Sequence, residues 1–509
     1  MNPGFAMQPP LFPNLSSRME QRRLLVFSTV LACYLLLWSI SNWPALKEAW
    51  WSVDDFDQIE HAKEKSMPDL YDGRVTWIIW YSTFFLEVTK ERETYNILLR
   101  FFQGVIHSLA AAIASFLIWK QTRRLTAFLS MLPFLLWPFN GEAVLWRSAG
   151  NYPVAALLGL IGILAIWQNG RKVFLYSAIG SLCIVLAVLT IQISALAGLA
   201  VWIIIISLRI LDRSSSSSVK KKFFLKTIII VSSYIIAGLI SYLIAKNYES
   251  FYIPRAVFAT DVLAKLSYLA ELNRKFIYSS FFPNWLNLLT VALLISTPTS
   301  LIVIAKRMGW SVGQVSLSLI LLMSLFVIPY GPLLIIDQNW DSARLFYLSP
   351  LLIAGFWIML DRCIGKQIWG KLASACILIP ILVGYVNIAR INSSDYIKLF
   401  RGDLQLLRKI ENYELRDPIE NRNVFVATFP DYVRDWNPYK LNYLNGDSKN
   451  SAFLKSWSAN SFIRLFSSLK TTEDATTKRI CLGICESRKH IQEPQLIEIE
   501  SKGATCVCP

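Results

Sequence analysis

Residues 18–57 read RMEQRRLLVFSTVLACYLLLWSISNWPALKEAWWSVDDFD, and the order of their parts decides the fold class. Arg18, Arg22 and Arg23 come first, an apolar run at 24–43 follows, and Trp50 and Trp51 then stand before Asp54, Asp55 and Asp57. About twenty apolar residues in a helix cross the hydrocarbon core of a bilayer. Cations ahead of such a run and carboxylates behind it set its direction, with residues 1–23 as a cytoplasmic tail and the acidic stretch outside. Residues 1–17 are rich in Pro and Asn and place no charged segment directly before a short apolar core, so 24–43 reads as an uncleaved first span.

The same pattern repeats along the chain. Further apolar runs fall at 96–119, 125–139, 151–167, 173–190, 192–208, 224–245, 286–305, 314–336, 344–360 and 372–390, making eleven spans with the first. Across 509 residues the hydrophobic share is 54%, the charged share 17% and the mean hydropathy +0.42. A soluble globular protein carries about a quarter charged residues, so that class is excluded. The net charge of +16 would suit a nucleic acid only if the cations shared one folded face. Here they sit in short loops between spans, and no nucleic-acid partner is expected. Lys120, Arg123 and Arg124; Arg171 and Lys172; Arg209 and Arg213; Lys306 and Arg307; and Arg362, Lys366 and Lys371 occupy every second loop, on the side of Arg22. An odd number of spans then puts the C-terminal tail outside. The split between the runs at 173–190 and 192–208 has no charge to mark it. Residues 75–88 are apolar but too short to span, which predicts a helix lying on or dipping into the outer leaflet. The serines at 214–218 beside Lys220, Lys221 and Lys222 form a linker with cations available to anionic lipid.

After residue 391 the composition turns polar. Residues 423–429 and 495–499 read as strands, which predicts a small α/β domain over 391–509. Cys481, Cys485, Cys506 and Cys508 in a tail outside the cytoplasm predict two disulfides, with a four-thiolate zinc site as the rival. The remainder divides into the tail at 1–23 and a membrane domain at 24–390 with a long outer loop at 44–95.

The outer side thus collects Asp54, Asp55, Asp57, His61, Asp72, Arg74, Glu142, Arg147, Asn151, Tyr152, Arg255, Arg274, Asp337, Asp341 and Arg344. A carboxylate among them can accept the proton of an incoming sugar hydroxyl while an arginine fork holds a leaving phosphate. Each has a plainer reading as well. The acidic pair could be a solvated loop start, Arg344 could pair with Asp341 or reach headgroups, Gly73 with Arg74 could be a turn, Glu142 an interfacial acid, and His61 a solvated histidine.

The WSVDDFDQ segment at 51–58, YDGR at 71–74, Pro138-Phe139 followed by Glu142, and RLFY at 344–347 resemble the bacterial glucosyltransferase family that modifies O-antigen, within the GT-C superfamily of polytopic glycosyltransferases. The resemblance covers most of residues 20–390. Where the family has an arginine close behind the acidic pair, this chain has Asp57 and Gln58. The resemblance implies an inner-membrane enzyme that moves a hexose from a polyprenyl-phosphate carrier to an extracytoplasmic glycan acceptor. It assigns Asp54 and Asp55 as the base or as ligands of a divalent cation, Mg or Mn, and places Gly73 and Arg74 near the donor, while Asp57, Asp72, Glu142, Arg147 and Arg344 are the further substrate-binding candidates of the outer face. A flippase of lipid-linked sugars, or a polymerase or acyltransferase of surface polysaccharide, are the alternatives.

Overall fold

The computed structural model describes residues 14–48, 50, 94–145, 150–168, 172–212, 217–247, 259–278, 282–337, 339, 343–364 and 368–414. In the tail it describes 423–426, 459, 462–463, 467, 470–471, 475–486, 495–499 and 504–508. The protein is mainly α-helical, and among the described residues nine helices are long and apolar enough to cross a membrane. It is a multi-pass membrane protein. All eleven apolar runs are helical, but Thr126–Leu136 and Asn151–Ile166 are shorter than the other nine.

The first of these short segments shows why. After α1 (Asn14–Ser41), α2 (Trp43–Lys47) and α3 (Thr94–Thr122), the chain breaks into α4 (Thr126–Ser130), α5 (Leu132–Leu136), a 3-10 turn (Pro138–Asn140) and a π-turn (Gly141–Leu145). Pro133 and Pro138 fall in the first turns of α5 and of the 3-10 turn, where proline is accommodated because the N–H it lacks would have no partner within the helix, and the run is divided at those points. The pieces nevertheless run antiparallel to α3 along most of its length. The Tyr34 hydroxyl bridges Ser115 and the Phe128 carbonyl, Asn140 reaches His107, and Arg100 reaches the Leu145 carbonyl.

The reversal that no charge marks is present. α7 (Val173–Thr190) ends at Ile191, whose φ of −151° and ψ of 115° are extended, and α8 (Gln192–Ala195) and α9 (Ala197–Ile210) follow. Contacts with α10 (Ser217–Asn247) fix the directions: Ser181 meets Ser233, Gln192 meets Ser241, Ala195 meets Tyr234 and Trp202 meets Thr227. α7 therefore runs with α10, and α8–α9 runs back against it. α6 (Asn151–Ile166) packs on both arms through glycine. A Cβ on Gly198 would lie 2.5 Å from the Gly159 carbonyl oxygen, whereas one on Gly238 in α10 would meet nothing within 4 Å. Gly198→Ala is expected to lose about 1–3 kcal/mol through overpacking, read as a lower unfolding temperature in detergent. Gly238→Ala is expected to leave that temperature unchanged or slightly raised.

The basic loops gather at one end. Arg124 pairs with Asp361 at 3.2 Å, Thr126 donates to the same carboxylate, and Arg362 and Gln121 share Asp212. The Lys226 ammonium donates to the carbonyls of Trp167 and Gln168, where its charge complements the C-terminal end of α6.

At the opposite end lies α11 (Val262–Ile277), a surface helix capped by Asp261. Its buried Lys265 donates to the Asp337 carbonyl at 2.8 Å and to Asn339 at 2.6 Å. Burial pushes the Lys265 pKa below its usual value, and the Asp337 charge opposes that shift. Arg274 makes an exposed ion pair with Glu271, of the kind that contributes little to stability. Beyond α12 (Asn284–Met308), the broken α13–α14 segment (Val312–Met323 and Gly331–Ile335) and α15 (Pro350–Ile364), the last long helix is α16 (Ile368–Glu414). The composition changes at 391, yet α16 continues through that point. At about 1.5 Å per residue it is some 70 Å long, over twice a bilayer core.

The tail holds a four-stranded sheet in the order β2-β1-β4-β3, with β1 (Asn423–Val426) parallel to β2 (Lys470–Thr471) and β4 (Ala504–Cys508), and β3 (Gln495–Ile499) antiparallel to β4. The strands expected at 423 and 495 are there; β2 and β4 went unread. A helix, α17 (Ala475–Glu486), is tied to β4 by the Cys481–Cys506 disulfide, and Cys485 is disulfide-bonded as well. These bonds leave no four-thiolate zinc site.

Candidate functional site

Opposite the basic end, α3 carries a polar stripe that hydropathy alone overlooks. Arg100, Gln103 and His107 follow one another at spacings of three and four, which places them on one helical face, and all three are fully buried together with Ser108. A charge in such surroundings is expensive unless well bonded, and Arg100 is well bonded. Its Nε donates to the Leu145 carbonyl at 3.0 Å, and an Nη donates to the Trp50 carbonyl. Its guanidinium lies 4.1 Å from the Trp50 ring centroid, and that ring stacks on Tyr396 of α16 at 4.7 Å and 1°. One cation thereby joins the chain after α2, the chain leaving the π-turn, and the last helix.

A second junction sits one or two turns deeper. Asn140 donates from Nδ2 to His107 Nε2 at 3.3 Å and to the Phe134 carbonyl at 2.8 Å. On the other side of the ring, His107 Nδ1 lies 2.9 Å from the Tyr347 hydroxyl oxygen, within hydrogen-bond reach. α16 closes the other side, where Asn392 donates to the Pro138 carbonyl and Ser393 to Asn42, while Arg401 pairs with Glu48. Gly141 is needed against this wall, since a Cβ there would lie 2.6 Å from the Tyr396 hydroxyl oxygen.

Trp137 forms the aromatic floor, with Phe139, Phe276, Phe282 and Tyr385 all between 5.1 and 5.5 Å from its ring centroid. The amide oxygens of Asn140, Asn151 and Asn392 and the indole N–H of Trp137 are buried and have no hydrogen-bond partner among the described residues. Each such group costs about 1–3 kcal/mol if left dry. Buried acceptors and a donor left in this way suit water or a hydroxyl-rich ligand.

No family model, curated protein or solved structure matches the chain. Asp54, Asp55, Asp57, His61, Asp72, Arg74, Arg147, Arg255 and Asp341 lie outside the described residues, as does the helix expected at 75–88. Of Glu142 and Arg344 the backbone alone is described. Glu142 is in the π-turn and Arg344 in the 3-10 turn Ala343–Tyr347, and these two turns touch. Tyr152 does reach the cluster, with the Tyr152 and Tyr347 rings 6.0 Å apart, and Asn151 beside it is buried. Arg274 is elsewhere, paired on α11. Among the described residues no three His, Cys, Asp or Glu side chains assemble as metal ligands, and the divalent cation expected at Asp54 and Asp55 falls outside them.

Proposed function

We propose that this protein is an integral membrane glycosyltransferase of GT-C type. In this reading it moves a hexose, glucose by the family resemblance, from a polyprenyl-phosphate donor to an extracytoplasmic glycan acceptor. The observation that carries the reading is the convergence at Arg100 and His107. Trp50 stands four residues before Asp54, Leu145 two before Arg147, and Tyr347 three after Arg344, so the backbones leading to all three candidates meet at one end of the bundle. Glu142 belongs to the same π-turn as Leu145.

The chemistry follows from residue type. Asp54 or Asp55 takes the proton of the acceptor hydroxyl, whose oxygen attacks the anomeric carbon opposite the phosphate. The carbon–oxygen bond to phosphate breaks, configuration inverts, and the lipid phosphate leaves with the electron pair, its charge matched by Arg74, Arg147 or Arg344. Buried amides and the Trp137 floor bind sugar hydroxyls and ring faces. In this topology eleven segments cross the membrane, with the broken stretch at 126–145 and α6 completing the count. The N-terminus is cytoplasmic and the tail is outside, a placement that the Cys481–Cys506 disulfide supports because such bonds persist in oxidising compartments.

A flippase of lipid-linked sugars is the second reading. It draws on the same buried stripe of Arg100, Gln103 and His107, because transporters use polar groups within spans. Purified protein incubated with polyprenyl-phosphate-glucose and acceptor glycan is expected to release the lipid phosphate and yield a glucosylated product. Movement of intact lipid-linked sugar across a vesicle without phosphate release would establish the flippase instead. Inertness toward lipid-phosphate sugars combined with activity on an acyl donor would establish an acyltransferase.

A further inference from the structure

The surface helix α11 has three sides, and the bundle covers only one of them. Lys265, Leu269, Leu272 and Phe276 follow at spacings of three and four, which puts them on one face, and all four are buried. Val262 and Leu266, four apart, stand on the adjoining side with Leu263 beside them. All three are exposed, Leu263 at 78%. The third side is polar, with Ser267 and the Glu271–Arg274 ion pair. A helix with one apolar side against protein, a second apolar side open and a polar third is suited to the boundary where bundle, hydrocarbon and water meet.

Two hydrogen-bonded contacts set the depth of α11. Lys265 donates to the Asp337 carbonyl and to Asn339, just past the end of the apolar span Val312–Ile335. Asn273, about two turns further along α11, donates to the Phe326 carbonyl inside that span. The helix is therefore laid across the last turns of the span, at the end opposite the basic loops, rather than above it. The surface around it is that of a membrane boundary. Ile320, Met323 and Ile335 of the α13–α14 segment are exposed apolar residues of the same span, and Tyr278 and Trp285, which flank the turn from α11 into α12, are exposed rings of the kind that settle at headgroup level. The open side of α11 adjoins this belt.

We propose that α11 is an interfacial helix, with Val262, Leu263 and Leu266 inserted into the lipid leaflet opposite the basic end and the Glu271–Arg274 side turned to water. Its buried side brings Phe276 to 5.1 Å from the Trp137 ring centroid, so the leaflet is linked through one helix to the aromatic floor of the candidate site.

The test uses the whole protein in phosphatidylcholine nanodiscs, with the fluorescent amino acid acridonylalanine in place of Leu266 or, in a second preparation, of Ser267. A doxyl group high on the lipid acyl chain quenches from the leaflet, and iodide quenches from water. Doxyl lipid is expected to remove more than half of the emission at position 266 and iodide little of it, with the order reversed at 267. Iodide quenching as strong at 266 as at 267 would overturn the proposal by placing that side in water. Protection of 266 from both quenchers would overturn it by showing a protein surface there, such as a second copy of the chain. The double variant L263E/L266E gives a second reading, since glutamate is well tolerated on a helix side that faces water and is costly in a leaflet. Its unfolding temperature in nanodiscs is expected to fall while that of Ser267→Glu stays at the wild-type value, and an unchanged temperature in the double variant would overturn the proposal.

Discussion

Asp54→Asn and Asp55→Asn are expected to reduce hexose transfer by roughly 10²–10⁴-fold for whichever residue is the base, with expression, membrane insertion and unfolding temperature unchanged. Asparagine keeps the size of the side chain and removes only its ability to accept a proton. The loss should therefore appear in the turnover rate, with little change in the donor concentration needed for half-maximal rate. Glu271→Gln is the internal comparison, an exposed acid that is paired with Arg274 on α11 and has no part in the proposed site. Transfer at the wild-type rate by both variants would remove the acidic pair from the mechanism. A loss rescued by no metal concentration would favour the base over the cation-ligand role.

The second large effect belongs to Arg100. Its guanidinium bonds two buried carbonyls, Trp50 and Leu145, and lies over an aromatic ring. Charge-assisted hydrogen bonds contribute about 1.5–3 kcal/mol each, so Arg100→Met is expected to cost roughly 3–6 kcal/mol. Methionine fills much of the volume but leaves both carbonyls without their donor. Arg100→Lys restores the charge and can reach only one carbonyl at a time, so it should fall between the two. Thermal unfolding in detergent measures the first effect. Donor turnover measures the second, because releasing Trp50 also releases the start of the acidic loop. An unfolding temperature unaltered in Arg100→Met would show that the junction is held by other contacts.

Hydropathy made the membrane class and the positions of all eleven helical runs legible, because it reports the solvent around a segment. The alternation of basic loops was legible for the same reason, and Arg124 with Asp361, and Arg362 with Asp212, now lie together at one end. What hydropathy does not report is which face of a helix meets protein. Arg100, Gln103 and His107 stand in an apolar run, and their signal is the spacing along one face rather than their number. The continuation of α16 past residue 391 was hidden for a related reason: leaving lipid changes composition without ending a helix. Asn392, Ser393 and Asp395 look like the start of a soluble tail, yet they are buried against the bundle. β4 was missed because its short Ala504–Cys508 strand is read first as a pair of cysteines.

Pinning Trp50 to Arg100 also has a thermodynamic consequence for the intervening chain of about fifty residues. Closing a loop costs entropy that grows only with the logarithm of its length, so removing twenty of those residues would change the closure term by roughly 0.5 kcal/mol. The number of residues between the two anchors is thus nearly invisible to folding stability. Selection is therefore free to change the number of residues between the two anchors while the guanidinium knot stays tied.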